Sequence, residues 1–249
     1  MAAYTTIDDP SAFFQCTLYA GNNGTQTITH GGNSDLQANF IWGKARNDTA
    51  HSFIIDSIRG VAQRLRSSGD EKQATVSTGI TAIGSDSFAV GNDGDFNDTG
   101  INYVSWNWKA GTSVSGNTTG SGTAKAYTGS VSTTAGFSII KYLGNGTAGH
   151  TIPHHLGAAP KMIIVKSTEG SRSWIVLPPV TDGHDKDLKL NDTDAIGGSD
   201  VWNNVAPSST VFSVGSNAVM NNNDVALIAY SFAEKQGYSK FGSYVGNGN

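Results

Sequence analysis

The segment NDGDFND (92–98) sets Asp93, Asp95 and Asn97 at alternate positions, the spacing with which an oxygen-rich calcium loop begins. The sixth place of such a loop, where glycine makes the turn, is taken by Asp98. The twelfth, where a glutamate closes the site, is taken by Val104. The run therefore reads as a hairpin turn that exploits Asn, Asp and Gly. A second set of candidates is His150, His154 and His155, with His184 lying among Asp182, Asp185, Asp187 and Asp192. Imidazoles and carboxylates bind zinc or carry protons. On a strand His150 and His154 project from one face and His155 from the other, so the three do not converge on one ion. Asp182, Asp185, Asp187 and Asp192 could supply the paired carboxylates of glycan cleavage. They sit in a polar stretch, however, without the burial that tunes such a pair. No Gly-x-Ser-x-Gly occurs, and no glycine-rich stretch carries the Gly-Lys-Ser/Thr of a phosphate loop. The expectation is a protein with no catalytic, cofactor or metal site, and not an enzyme.

The five tryptophans could stack on sugar rings. Trp42, Trp106 and Trp108 fall on core-like strands, where burial is expected. Trp174, beside Arg172, and Trp202, in SDVWNNVAPSS, have polar neighbours, and Trp202 is the best single candidate for a surface aromatic.

What must position these groups is a duplicated β unit. Residues 14–24 read FQCTLYAGNNG, 137–147 read FSIIKYLGNGT and 238–249 read YSKFGSYVGNGN, each an aromatic start and a strand-like stretch ending in Tyr-x-Gly-Asn, at Tyr19, Tyr142 and Tyr244. The separations suit one small β domain each, and a repeated unit governs the domain count. Ile28 and His30 are matched by Ile152 and His154, FIWGK (40–44) by MIIVK (162–166), and GSDSFAVGN (84–92) by SSTVFSVGS (208–216). YVSWNWKAG (103–111) is matched by LIAYSFAEKQG (227–237). The expected organisation is an arm at 1–12, a first unit at 13–113, a polar linker at 114–135 with one strand near its end, a second unit at 136–236, and at 237–249 the first strand of a third.

Alternation supports strands. Val104, Trp106 and Trp108 share one face, Tyr103, Ser105 and Asn107 the other; Ile228, Tyr230 and Phe232 repeat the pattern, and MIIVK suits a strand covered on both sides. DSIRGVAQRLR (56–66) has a helical cap in Asp56 and one apolar helical face, but Gly60 weakens it and its counterpart, DGHDKDLKLN, alternates as a strand. The fold class expected is all-β, two tandem jelly-roll-like β-sandwiches. Composition agrees: 14% charged residues and 31 glycines build turns and short polar strands rather than amphipathic helices. A net charge of −4 offers no footprint for nucleic acid or an anionic membrane. The single cysteine, Cys16, excludes an internal disulfide framework. The opening MAAYTTIDDPSAFF lacks the basic start and apolar core of a signal peptide, and no apolar stretch is long enough to span a bilayer, so synthesis in a cytosol without standard export or membrane insertion is expected.

The combination of Tyr-x-Gly-Asn, Met-Ile-Ile-Val-Lys, Val-Trp-Asn, the ending GYSKFGSYVGNGN (237–249) and the opening ThrThrIleAspAspProSer (5–11) resembles a repeat domain of unknown function found in virion structural proteins of marine bacteriophages, cyanophages especially. The resemblance covers nearly the whole chain and brings no catalytic residues with it. It implies a virion protein, a tail fibre or capsid-surface decoration, partnered by other virion proteins and by itself, with a trimer as the fibre-like form. A glycan-binding receptor module is the alternative, and a depolymerase the third reading.

Overall fold

The computed structural model describes residues 5–179, 184–198, 200–244 and 246–247. The first half of the chain runs through β1 (Phe14–Ala20), β2 (Gln26–Thr29), β3 (Phe40–Ala45), β4 (Phe53–Asp56), β5 (Gln63–Arg66), β6 (Ala74–Thr75), β7 (Ile80–Ile83), β8 (Ser87–Val90), the single turn α1 (Gly94–Asn97) and β9 (Asn102–Trp108). Between the halves lie β10 (Thr112–Asn117), β11 (Thr119–Gly120) and β12 (Ala126–Ser132). The second half runs through β13 (Phe137–Leu143), β14 (His150–Pro153), β15 (Met162–Ser167), β16 (Ile175–Leu177), β17 (Lys186–Lys189), β18 (Gly197–Gly198), β19 (Val211–Val214), the single turn α2 (Ala218–Asn221) and β20 (Ala226–Phe232). The protein is all-β and sandwich-like. Among the described residues no helix is long and apolar enough to cross a membrane.

The same strand order occurs twice. One large sheet runs β1-β9-β3-β4-β5-β6, and the other contains β13-β20-β15-β16-β17-β18. Trp108 lies opposite both Phe14 and Phe40 in the first sheet, as Phe232 lies opposite both Phe137 and Met162 in the second. Each large sheet carries a three-stranded sheet on its outer face, β2-β8-β7 on the first and β11-β14-β19 on the second. Ile41, Phe53, Ile55, Phe88 and Val90 fill the space between the layers of the first half. Ile140, Tyr142, Ile163, Val165, Phe212 and Leu227 do so in the second.

The two halves are not beads on a string. A further core of Phe40, Ile54, Leu65, Phe137, Ile139, Ile164, Trp174, Ile228, Tyr230 and Phe232 lies between the two large sheets, giving four layers in all. This is why every residue of β20 is buried: Leu227 and Ala229 face one core, Ile228, Tyr230 and Phe232 the other.

Two expectations need correction, the linker and the C-terminal strand, and the helix weighed against at 56–66 is not formed. The polar stretch 114–135 is not a linker, because β10 and β12 form a hairpin that extends the second large sheet and β11 pairs with β14. Its Ser, Thr and Gly content follows from position: β10 is an edge strand with mostly exposed side chains, while Tyr127 and Val131 of β12 turn inward. DSIRG makes a turn and not a helix; Asp56 Oδ1 accepts from the N–H of Ile58 (3.0 Å) and Arg59 (2.8 Å), and the chain enters β5. The described residues of 237–249 form no strand. Ser239 N–H donates to Lys235 O (2.9 Å) and Phe241 N–H to Glu234 Oε1 (3.1 Å), so a turn satisfies groups that a strand would have offered to a neighbour. The N-terminal segment packs beside that turn. Ile7 is buried, Thr5 touches Gly237 closely enough that an added Cβ would come within 2.9 Å, and the Phe13 and Tyr238 rings meet edge to face.

Candidate functional site

The acidic loop is a cap for α1. Asp93 Oδ1 accepts from Asp95 N–H (3.0 Å), and the Asp95 carboxylate is taken by Arg64 (2.6 Å) and Arg66 (2.8 Å) from β5. Asn97 is fully buried. Its amide donates to Gly91 O (2.7 Å) and Gly24 O (2.6 Å), and its oxygen accepts from Asn22 N–H (3.0 Å). Asn221, the same residue of α2, donates to Gly215 O (2.8 Å) and Thr147 O (2.9 Å) and accepts from Asn145 N–H (2.8 Å). These bonds explain Tyr-x-Gly-Asn. Tyr19 and Tyr142 each donate a hydroxyl to the helical turn, at Phe96 O and Met220 O (2.8 Å each). Gly21 and Gly144 pass so close that a Cβ would lie 2.1 Å from Asp98 O and 2.3 Å from Asn222 O. Asn22 and Asn145 complete the stitch.

The histidines serve loops as well. His150 Nδ1 lies 2.8 Å from the Asn145 amide. His155, in the left-handed region at φ 59°, brings its Nε2 to 2.8 Å from Tyr127 Oη. His154 is fully buried; its Nδ1 accepts from Leu156 N–H (3.2 Å) and its Nε2 lies 3.2 Å from Ser208 O. Burial, aided by His155 and opposed by the Ser208 carbonyl, pushes its pKa down to about 4. The unfolded chain takes a proton at the ordinary value near 6.5 and the folded chain does not. The stability contributed by neutral His154 is therefore complete above pH 6.5 and is lost as pH falls towards 4. Over that window the loss is at most about 3 kcal/mol. Urea titrations at stepped pH are expected to show this decline, and His154→Gln is expected to flatten it; an unchanged slope would count against the assignment.

Among the remaining candidates, Asp182 lies outside the described residues. Asp185 pairs with Lys186 (3.0 Å), Asp187 is buried on β17, and Asp192 accepts from Thr193 N–H (2.8 Å). Among the described residues no three His, Cys, Asp or Glu side chains are grouped to hold a metal.

The tryptophans depart from their expected exposure in part. Trp202 is buried in the second half's core, edge to face with Phe212, and Trp174 is buried with its Nε1 donating to Arg66 O (2.9 Å). Trp42, Trp106 and Trp108 are partly rather than fully buried. Trp42 and Trp108 line a cleft of 260 Å³ where the core between the large sheets reaches the surface. Phe14 stands 4.7 Å from Trp108, Phe137, Met162 and Phe232 form the opposite wall, and Tyr238 and Phe241 close one end. Trp106 and the exposed Cys16 and Leu18 continue this face outward along the first large sheet. Among the described residues no Asp, Glu, His, Lys or Arg lines the cleft, and its walls offer apolar and aromatic surface for burial. Alternation on β9 put Trp106 and Trp108 on one face. What it could not reveal is that the second half covers that face only in part.

A family model described as a domain of unknown function (DUF7483) matches residues 9–249. No curated protein and no solved structure matches the chain.

Proposed function

We propose that this chain, which belongs to the DUF7483 family, is a non-enzymatic structural component of a bacteriophage particle, a fibre or capsid-surface decoration that joins itself and neighbouring virion proteins. The observation that carries this reading is where the chemical groups are spent. Asp95 is consumed by two arginines, Asn97 and Asn221 by loop carbonyls, and His154 by a turn, while Phe14, Trp42, Trp108 and Phe241 line an apolar cleft open to solvent. Such an arrangement suits rigid modules that make contacts. The end resemblances, ThrThrIleAspAspProSer and GYSKFGSYVGNGN, supply the particle. Particles purified from a lysed host are expected to contain the protein in many copies, decorated by antibody at a regular place in electron micrographs. Protein confined to the soluble fraction of the lysate would sink the proposal.

A second reading, a glycan-binding receptor module, draws on the partly buried Trp42, Trp106 and Trp108, since indole faces stack on sugar rings. The absence of polar side chains beside Trp42 and Trp108 in the cleft wall, Ser239 and the Tyr238 hydroxyl apart, favours protein contact over sugar.

A further inference from the structure

β1 and β13 hold the same position in the two large sheets, yet only β13 is flanked on both sides. It has β20 on one side and β12 on the other, with Phe137 opposite Ser132, Ile139 opposite Ser130 and Lys141 opposite Thr128. β1 has β9 on one side, and among the described residues no strand pairs with its other edge. At the two ends of the β1–β9 ladder, Lys109 N–H donates to Phe13 O (2.9 Å) and Gly21 N–H to Ile101 O (2.8 Å). An antiparallel ladder alternates, so odd-numbered residues of β1 bond to β9 and the N–H and C=O groups of Phe14, Cys16, Leu18 and Ala20 point outward, the Ala20 carbonyl alone of these accepting from a side chain, Gln26 Nε2 (2.9 Å). The corresponding residues of β13 are the ones that face β12.

We propose that β1 is an assembly edge whose occupant is β1 of a second copy of this chain, antiparallel and centred on Thr17. Open edges in monomers are guarded by charge, proline or a bulge. FQCTLYA has neither charge nor proline, and its register with β9 runs unbroken from Phe14 to Ala20. The strand is also complementary to itself. A two-fold axis sets apolar Leu18, 60% exposed, against Cys16 and sets Phe14 against Ala20, with no charge opposing another. Trp106, beside Cys16 in the register, continues this strip towards the aromatic cleft, so the added strand extends cover over a face already apolar. The pairing stands on the strand edge alone and does not depend on the particle assignment, so the two tests fail separately.

Light scattering on the purified full chain at micromolar concentration is expected to give the mass of two chains. In Leu18→Cys the introduced thiol would stand about 5.5 Å, Cα to Cα, from Cys16 of the second copy, within disulfide reach. Mild oxidation is then expected to give a covalent dimer on a non-reducing gel, and Cys16→Ser combined with Leu18→Cys is expected to give none. Leu18→Lys, at an exposed site that leaves the fold intact, is expected to weaken the dimer by about tenfold or more. A mass of one chain, which would leave the edge to another protein, overturns the proposal. So does a mass of three, or a dimer indifferent to both Leu18 variants.

Discussion

Replacing Asp56 by alanine is expected to remove roughly 3–5 kcal/mol of stability, the cost of leaving a buried charge without its partner. Asp56 and Arg59 are both fully inaccessible at the side chain and 2.6 Å apart. Arg59 also donates to Gln63 O (2.7 Å) and Ile54 O (3.1 Å), so its remaining protons are satisfied only while it stays in place. From the other half of the chain Tyr230 donates its hydroxyl to Asp56 Oδ2 (2.7 Å), and burial holds that phenol protonated, well above its ordinary range. The cluster is thus a buried ion pair fastening the two halves, alongside the bonds from Trp174 Nε1 to Arg66 O (2.9 Å) and from Arg172 N–H to Asp70 O (2.8 Å). Among the described residues it has no counterpart in the second half, where Pro178 stands at the place of Asp56. Total stabilities of about 5–15 kcal/mol make the expected loss close to unfolding for a marginal protein. Urea unfolding measures it directly. Removing the whole cluster, with Asp56→Leu, Arg59→Leu and Tyr230→Phe together, is expected to cost less than Asp56→Ala alone. Should the triple variant prove the weaker, packing rather than charge is what the cluster supplies.

The second large effect is expected at Asn97 and Asn221. Each alanine substitution leaves two carbonyls and a backbone N–H without the partner they have now, at about 1–3 kcal/mol for each group that stays buried. A loss of roughly 3 kcal/mol or more is expected from either change. Because the two stitches are built alike, Asn97→Ala and Asn221→Ala are expected to fall by similar amounts in chemical denaturation. A loss below about 1 kcal/mol at either position would mean that water replaces the amide, and that the shared phrase is not held by it.

The class of fold was open to reading because strands alternate, although on β9 the fully buried face is that of Tyr103, Ser105 and Asn107, while Trp106 and Trp108 are only partly covered. Repetition of Tyr-x-Gly-Asn was visible as a pattern, but its cause lies in Phe96, Asn97, Met220 and Asn221, which local sequence does not connect to it. Other features were hidden for physical reasons. Trp174 and Trp202 sit among turn-forming neighbours, yet their burial is decided by what lies across the sheet, the Arg66 carbonyl for one and Phe212 for the other. The hairpin at 112–132 reads as a linker because an edge strand may keep its polar residues wet. Asp56 carries helix-cap chemistry that a turn can use equally well. The cleft depends on how two halves dock, which neither half records alone.

The contact between Thr5 and Gly237 has a mechanical meaning. Two positions more than two hundred residues apart in sequence stand side by side there, with Phe13 edge to face with Tyr238 next to them, so a pull applied between them would be met at once by that short junction. Tension carried along a backbone would cross that short junction and bypass the four layers of sheet, so the sheets would bear load only from what grips them sideways.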